Sequence, residues 1–289
     1  MNKICLKAYA KINIGLNIIS HRQDGYHNIE TIFQQIDLYD QLKLSRRDDP
    51  GIIIRSDHSL LPTNEDNICH RAVKLIQQAT GFKEGIVIAI KKRIPIGAGL
   101  GGGSSDAAAV LMGLKRLWQL QLTKKKLLDI ASVLGADVRF FLYGGTALAS
   151  GIGEKLKPIT SPFNFYCVLV YPNIEISSTW AYKNFNFSLT KTKKSIKLAH
   201  IFSQRIDISD LKNLISNDFE EVVFQHYQEL RDIKQLLYIR GALFASMSGS
   251  GSTIYGLFKD YTDAVEVMRS IPKPYQLILA KPMITKNHL

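Results

Sequence analysis

The chain has 289 residues, 46% of them hydrophobic, and 37 Lys and Arg against 25 Asp and Glu give it a formal net charge of +12. This hydrophobic fraction is enough for one core or for two modest cores side by side, and no apolar run approaches the length of a membrane span. Lys3, Lys7 and Lys11 interrupt the N-terminus too often for the apolar part of a signal peptide. We therefore expect a folded, cytoplasmic protein.

The first half of the chain is predicted to begin with strands. Residues 4–18 place apolar side chains at every even position, which is typical of a strand with one buried face. The other face of this strand presents Lys11 and Asn13 side by side. Apolar patterns and turn residues predict further strands at 29–44, 51–56 and 86–90, and a helix at 64–80 that ends at Gly81.

A glycine-rich stretch, PIGAGLGGGSSDAA, follows the strand at 86–90 and leads into a helix predicted to begin near Ser104 or Ser105. A second helix is predicted from Thr123, its N-cap, to Gly135. Residues 144–156 predict a strand and a glycine turn, and the proline-containing segment 158–164 predicts a domain boundary.

The second half is predicted to alternate strands and helices again. The predicted elements are a strand at 165–172, helices at 208–218 and 220–239, a strand, glycine turn and strand over 243–258, a helix at 261–270 and a strand at 276–280. The polar, basic stretch 183–200 is predicted to be a loop. The expected domains are therefore 1–157, which contains the glycine-rich loop, and 165–289.

Two further features bear on the class of ligand. Cys5, Cys69 and Cys167 are far apart, which predicts neither a disulfide framework nor a zinc site. The positive charge favours an anionic partner, but it leaves open a nucleic acid, a membrane surface or a phosphorylated metabolite. The lysine runs lack the interleaved aromatic residues of a base-stacking surface.

The glycine-rich loop is the strongest functional signal. Glycines allow the backbone to approach a ligand closely, and the first turn of the following helix offers unpaired N–H groups and the positive end of the helix dipole. We interpret this combination as an anion cradle. It matches neither the Walker pattern, because no lysine follows the glycines, nor an early dinucleotide-binding βαβ unit.

Three polar residues at the helix start are open to more than one interpretation. Ser104 and Ser105 could cap the helix or offer hydroxyls to phosphate or Mg²⁺. Asp106 could simply be an acid favoured by the helix dipole, or it could bind a metal.

The stretch PIGAGLGGGSSDAA matches the signature of the GHMP kinases, and the chain resembles that family from about residue 3 to 282. The resemblance implies an α+β, two-domain fold: an N-terminal domain like domain 2 of ribosomal protein S5, a ferredoxin-like C-terminal domain and an active site between them. It also implies an ATP-dependent small-molecule kinase, with Mg²⁺ expected. The additional segments AKINIGLNI, RQDGYH, GADVRFFL and MSGSGST resemble family members that phosphorylate a small cytidylyl substrate on the route to isoprenoid precursors.

The resemblance also implies roles for individual residues. Lys11 and Asp137 match the catalytic lysine and aspartate. The ATP-binding loop corresponds to Pro95, Ile96, Gly97, Ala98, Gly99, Leu100, Gly101, Gly102, Gly103, Ser104 and Ser105. The substrate-binding residues correspond to Asn13, Tyr26, His27, Tyr182, Ser248 and Gly249, with Trp180 as an alternative to Tyr182. Arg139 stands where the family commonly has proline, and no metal-ligand set is assigned.

Two alternatives stay open at the level of the sequence. One is another GHMP small-molecule kinase, of the homoserine or mevalonate type, which has no need for the Tyr26–His27 pair. The other is a basic RNA-binding protein that uses the S5-like domain, which has no need for the phosphate loop. The expected partners are ATP and a cytidylyl small molecule, without a nucleic acid or a membrane.

Overall fold

The computed structural model describes residues 2–161, 163–187, 198, 201, 206–272 and 274–283. A first sheet of six strands has the order β3-β4-β2-β5-β6, with β1 paired to β2. Only the β3–β4 pair is parallel among the described strands of this sheet. The strands are β1 (Lys3–His21), β2 (His27–Arg47), β3 (Ile52–Ser56), β4 (Gly85–Lys91), β5 (Thr146–Gly151) and β6 (Lys155–Pro158).

Four helices accompany this sheet in the described part of the chain. They are α1 (Ile68–Thr80), α2 (Gly102–Leu117), α3 (Lys124–Leu134) and α4 (Ala136–Tyr143). The predicted caps of two of them are present, since the Thr123 side chain accepts from the amide of Lys126 and Gly81 closes α1 with a φ of 70°. The apolar stripes of these helices and one face of the sheet form the first core.

The second sheet is antiparallel, with the order β10-β7-β9-β8. This strand order, with helices between the strands, is the ferredoxin-like arrangement that the family resemblance implied. Its elements are β7 (Tyr166–Tyr171), α5 (Ser178–Asn184), a 3-10 turn (Ile208–Asp210), α6 (Leu211–Leu214), α7 (Phe219–His226), α8 (Gln228–Ile239), β8 (Phe244–Met247), β9 (Ile254–Phe258), α9 (Tyr261–Ser270) and β10 (Gln276–Ala280). The expected α+β fold is confirmed.

The two sheets are joined by a shared core. Along β7, Cys167 and Leu169 face the middle of β1, whereas Val168 and Val170 face the C-terminal helices. The chain also connects the sheets directly, because the amide of Met283 donates to the carbonyl of Gln35 on β2 at 2.8 Å. The strands of the two sheets lie on either side of segment 159–165, and the division into domains 1–157 and 165–289 stays a prediction.

Several predicted elements differ from the structure. Strand β1 is buried on both faces from residue 10 to 18, because its apolar face packs on the second sheet and the glycine-rich loop and α4 cover Lys11 on the face expected to be exposed. Helix α2 begins at Gly102, ahead of the predicted start at Ser104 or Ser105. The helix predicted at 208–218 is instead a 3-10 turn and a single turn of α-helix, and the one predicted at 220–239 breaks at Tyr227, whose φ is −129°.

Two other points complete the comparison. Helix α4 was missed, because its eight residues are too few to show a helical period. Of the loop predicted at 183–200, residues 183–184 close α5, while 188–197 and 199–200 lie outside the described residues. No helix within the described ranges has both the length and the hydrophobicity needed to cross a bilayer.

Candidate active site

The glycine-rich loop, residues 95–104, begins shortly after β4 and includes the first residues of α2. Gly97, Gly99 and Gly101 have φ between 65° and 76°, the left-handed region that favours glycine. A Cβ atom on Gly99 would lie 2.0 Å from the carbonyl oxygen of Ser248, so this part of the loop packs directly on the second glycine turn. The two glycine segments of the sequence therefore meet in space.

The start of α2 presents free backbone donors to the same place. The amide of Ser105 donates to the carbonyl of Gly101 at 2.9 Å, and the amides of Gly102, Gly103 and Ser104 precede that bond. The helix has no side-chain cap among the described residues. The hydroxyl of Ser105 donates to the carbonyl of Tyr9 on β1 at 2.6 Å, which joins the helix start to the sheet.

The Lys11 side chain extends from β1 to the glycine-rich loop. Its side chain is 5% exposed, and its Nζ donates to the carbonyl of Gly99 at 3.0 Å and to Oδ1 of Asn13 at 2.5 Å. Burial lowers the pKa of the Lys11 ammonium from its usual value, against the opposing effect of the Asp137 carboxylate. The strand position therefore places one desolvated cation against the loop.

Asp137 approaches the same ammonium from α4. Its Oδ2 lies 3.7 Å from Nζ of Lys11, and its side chain is 32% exposed, so it faces open space. Asp137 stands in the first turn of α4, where the helix dipole favours a carboxylate. The helix continues through Arg139, so the missing proline does not prevent this placement.

Asn13 and Ser248 connect the two sheets beside Lys11. The hydroxyl of Ser248 donates to the carbonyl of Gly99 at 2.9 Å and accepts from the amide of Asn13 at 3.3 Å. The side-chain amide of Asn13 donates to the hydroxyl of Thr31 at 2.9 Å. Asn13, Thr31 and Ser248 are all buried, so these hydrogen bonds form a connected polar wall beside Lys11.

These elements surround an open cavity of about 590 Å³. The predicted site residues that line it are Lys11, Asn13, the whole stretch 95–104, Asp137, Tyr182 and Gly249. Ser248 is not among the lining residues, but its hydroxyl contacts the loop at the carbonyl of Gly99. Lining residues that the sequence analysis did not single out include Ile68, Ile176 and Phe219, which are apolar and gave no signal of their own, and Lys92, which stands in a run of basic residues.

An aromatic cluster borders the cavity near α5. The rings of His27 and Tyr182 are stacked with centroids 5.0 Å apart, and Phe187 stacks at 5.9 Å from His27. Burial, followed by the charge of Asp137, raises the pKa of Tyr182 to about 12, and burial together with His21 lowers the pKa of His27. Both rings are therefore neutral near pH 7.

The structure separates the two aromatic candidates of α5. Tyr182 lines the cavity, whereas Trp180 packs on His226 and Tyr227, with centroids 4.9 and 5.8 Å away. Tyr26 lies next to His27 but its side chain is 59% exposed. Of the three predicted substrate residues Tyr26, His27 and Tyr182, Tyr182 lines the cavity, and His27 is joined to it by the stack on Tyr182.

One charged cluster lies beneath the loop and was not predicted as a unit. Lys92 forms ion pairs with both Asp40 and Asp106, and all three side chains are at most 3% exposed. Asp106 is therefore part of a buried ion pair, rather than only a dipole-favoured acid at the helix start. No local pattern connects these three residues, because they come from separate segments that meet only in the folded protein.

Comparisons with known proteins agree with this geometry. Residues 67–145 match the model of the GHMP kinases N terminal domain, and residues 198–277 match that of the GHMP kinases C terminal domain. The 4-diphosphocytidyl-2-C-methyl-D-erythritol kinase of Chlorobium chlorochromatii (strain CaD3) is 43% identical over 273 residues, which is 93% of each chain. The kinase of that name from Chlorobium phaeobacteroides (strain BS1) is 42% identical over 99% of each chain.

Solved structures give the same result. The crystal structure of a 4-(cytidine 5'-diphospho)-2C-methyl-D-erythritol kinase matches with a TM-score of 0.81 and 30% identity, covering 96% of this chain and 99% of that one. A mevalonate kinase structure matches with a TM-score of 0.76, but its 14% identity shows the fold alone. The fold and site define an ATP-dependent small-molecule kinase. The chain belongs to the GHMP kinase family.

Proposed function

We propose that this enzyme transfers the γ-phosphoryl group of ATP to the 2-hydroxyl of 4-diphosphocytidyl-2-C-methyl-D-erythritol, giving the 2-phosphate and ADP. The reaction belongs to the non-mevalonate route to isoprenoid precursors. The observation that carries the proposal is the Lys11–Asp137 pair, 3.7 Å apart on the wall of a cavity that also contains the glycine-rich loop. The choice of acceptor is supported by the names of relatives that match over nearly the whole chain.

Asp137 and Lys11 divide the acceptor chemistry between them. Asp137 accepts the proton of the acceptor hydroxyl and orients its oxygen, which forms the new bond to γ-phosphorus as the bond to the β–γ bridging oxygen breaks. The Lys11 ammonium stabilises negative charge near the attacking oxygen and the migrating group. Burial strengthens this attraction, because little water remains to screen the ammonium.

Residues 95–104 are proposed to bind the triphosphate. Their supporting features are the backbone amides at the start of α2 and the close contacts at Gly99. Ser105 supports the cradle through its bond to Tyr9, and Ser248 and Gly249 close it from the second sheet.

The acceptor's cytosine is proposed to bind at the aromatic cluster. Stacking suits any flat ring, whereas donors and acceptors on Tyr26, His27 and nearby backbone select the base. Tyr182 is the stacking residue that the cavity favours over Trp180. Asn13, held next to Lys11, is proposed to hydrogen-bond near the acceptor hydroxyl.

Mg²⁺ is proposed to enter with the ATP phosphates. Within the described residues, no group of three or more His, Cys, Asp or Glu could hold a metal ion by itself. This fits an ion that binds mainly to phosphate and water, with one or two protein oxygens. The Ser104 hydroxyl and the Asp137 carboxylate are among the cavity groups that could supply them, and the ion would neutralise phosphate charge. Free thiols at Cys5, Cys69 and Cys167 support our placement of the enzyme in the cytoplasm.

An acceptor assay tests this function. Purified protein with ATP and Mg²⁺ should release ADP with the cytidylyl substrate and should form a product phosphorylated at the 2-hydroxyl. Homoserine and mevalonate serve as the competing acceptors and should give only background release. ADP release with either of them, and none with the cytidylyl substrate, would contradict the proposal.

A further inference from the structure

A buried cluster of three charged residues lies under the glycine-rich loop. Asp40 is on β2, Lys92 directly follows β4, and Asp106 is in the first half of α2. Lys92 Nζ donates to Oδ2 of Asp106 at 2.9 Å and to Oδ2 of Asp40. All three side chains are almost fully buried, so these bonds are formed out of water, where they depend strongly on geometry.

The cluster holds the segment that enters the loop. Oδ1 of Asp40 accepts hydrogen bonds from the amides of Arg93 at 2.6 Å and Ile94 at 2.9 Å. Its other oxygen accepts from the side chain of Lys92. One carboxylate therefore ties three consecutive residues to the central strand of the sheet, immediately before Pro95.

The cluster also holds the segment that leaves the loop. The bond from Lys92 to Asp106 joins the entry segment to α2 beyond the glycines. A Cβ on Gly102 would lie 3.0 Å from the side chain of Ile94 and 3.3 Å from Nζ of Lys92, so the first residue of α2 rests on the entry segment. Both ends of the loop are thus fixed to one another and to β2.

This anchoring matters because the loop itself is glycine-rich. Glycine loses more backbone freedom on ordering than any other residue, so a loop of this composition does not define its own shape. Fixing both ends reduces the number of conformations open to the free loop. Less conformational entropy is therefore lost when a ligand binds. The Lys92 ammonium is bound by both carboxylates. It therefore holds the ends of the loop together and offers no free charge to the cavity.

We propose that Asp40, Lys92 and Asp106 are positioning residues for the nucleotide, which act by holding the two ends of the glycine-rich loop in the binding conformation. This inference rests on the proposed role of residues 95–104 in binding the triphosphate. It assigns the cluster to the ATP half of the site, so acceptor binding should not depend on it.

The charge of the cluster makes a selective test possible. Two carboxylates share one ammonium, and Oδ1 of Asp106 has no hydrogen-bond partner among the described residues. Removal of Asp106 leaves the neutral Asp40–Lys92 pair, so the variant should fold. Asp106→Asn removes the charge but keeps an oxygen that accepts from Lys92, whereas Asp106→Ala removes both.

The experiment is calorimetric titration of the full chain with ADP, together with steady-state kinetics. Asp106→Ala should weaken ADP binding and raise the KM for ATP about tenfold, the effect of losing one charge-assisted hydrogen bond. The KM for the acceptor and the kcat at saturating ATP should stay within about twofold of wild type. Asp106→Asn should bind ADP at least as tightly as wild type, because it keeps the anchor and removes a negative charge near the phosphates.

Ile54→Ala is the control for general destabilisation. Ile54 lies on the edge strand β3 and is buried in the first core, between the first sheet and its helices. It should lower the melting temperature without changing ADP affinity. Unchanged ADP affinity in Asp106→Ala, or equal losses in the Ala and Asn variants, would overturn the inference. So would an equal loss in Ile54→Ala. If Asp106→Ala is insoluble, Asp106→Ser replaces it with the same expectation. Wild-type protein that binds no ADP would instead overturn the proposed function on which the inference rests.

Discussion

The Lys11 ammonium illustrates how much the role of one residue depends on its surroundings. By sequence, Lys11 is a polar residue on the outer face of an alternating strand. In the fold, the glycine-rich loop and α4 cover that face, and Nζ contacts Asn13, the carbonyl of Gly99 and Asp137. The energetic value of this cation comes from its burial beside a carboxylate, which no local pattern contains.

We expect Asp137→Asn to remove most of the turnover. The amide cannot accept the hydroxyl proton, so kcat should fall about 10²- to 10⁴-fold, the range of general base catalysis. ADP affinity, measured by titration, should change little, because the loop and the start of α2 are intact. Turnover close to wild type in a folded Asp137→Asn protein would contradict the proposed role.

The Asp106 carboxyl should make stability depend on pH. Burial raises its pKa to about 7; Lys92 opposes this shift and Asp40 adds to it. The third group nearby is the buried thiol of Cys69 on α1, whose own pKa burial raises well above its usual value, so it stays neutral. Because the folded state binds the Asp106 proton more tightly than the unfolded chain does, this carboxyl favours folding at low pH. That contribution is lost as the pH rises toward 7.

Asp106→Asn removes this titration. Relative to wild type, the variant should gain stability progressively between pH 4 and pH 7, by on the order of 4 kcal/mol, and the gain should then level off. Urea unfolding at several pH values measures the difference. A difference that is constant over this range, or that shrinks as the pH rises, would show that Asp106 does not titrate as inferred.

At the level of elements, the glycine-rich loop requires particular positions to stay bare. Gly101 has a φ of 71°, and a Cβ on it would lie 2.8 Å from Cζ of Phe141 and 3.2 Å from Cε of Lys11. A side chain there would displace Lys11, the proposed catalytic lysine, as well as strain the backbone. Gly81 has nearly the same φ, 70°, at the end of α1, but a Cβ on it would meet no described atom within 4 Å.

This pair of glycines gives a matched test. Gly81→Val should lose about 1–3 kcal/mol of stability, because it places a β-branched residue in the left-handed region. Gly101→Val should lose at least as much, because its Cβ also overlaps Phe141. Only Gly101→Val should also lose ADP binding and turnover, as measured by titration and by ADP release. Equal ADP affinity in the two variants would contradict the proposed cradle.

Helix α5 provides a second matched pair. Tyr182→Ala should raise the KM for the cytidylyl substrate about tenfold, since stacking contributes about 1–3 kcal/mol per base. The KM for ATP should be unchanged. Trp180→Ala, on the same helix but packed on His226 and Tyr227, should leave both KM values unchanged. A larger effect at Trp180 than at Tyr182 would reverse the assignment of the stacking residue.

For the whole molecule, the core between the two sheets should couple stability to activity. Leu169 on β7 and Leu237 on α8 are both 0% exposed, but Leu169 lies in the core that contains Ile12 and Ile14, on either side of Asn13. Leu237 lies in the core of the C-terminal helices, which includes β1 only at Leu16 and Ile18. Leu→Ala at either position should lower the free energy of unfolding by about 2–5 kcal/mol.

The kinetics of these two variants should differ. Leu169→Ala should also lower kcat/KM for both substrates well below the melting temperature, because the cavity is built from both sheets. Leu237→Ala should keep wild-type kinetics under those conditions. Thermal unfolding and initial rates measure the two effects, and identical kinetics in the two variants would mean that the shared core does not position the site.

Much of the fold follows from local pattern alone. The alternation in β1, the stripes of α1 and α3 with their caps, and the glycine-rich loop before α2 were all recognisable, because each depends on residues close together in the chain. The match to the GHMP signature is local in the same way. Helix α4 was missed because a short helix that is apolar on most sides shows no period.

The arrangement of charges was decided only by the tertiary structure. Burial of Lys11, its contact with Asp137, the stack of Tyr182 on His27 and the Asp40–Lys92–Asp106 cluster all join segments that are distant in sequence. Desolvation and Coulomb energies depend on distances through space and on which surfaces are covered. The sequence alone therefore indicated most of the elements and the family they belong to, whereas the packing of strands, helices and loops in three dimensions determined which of their polar groups meet.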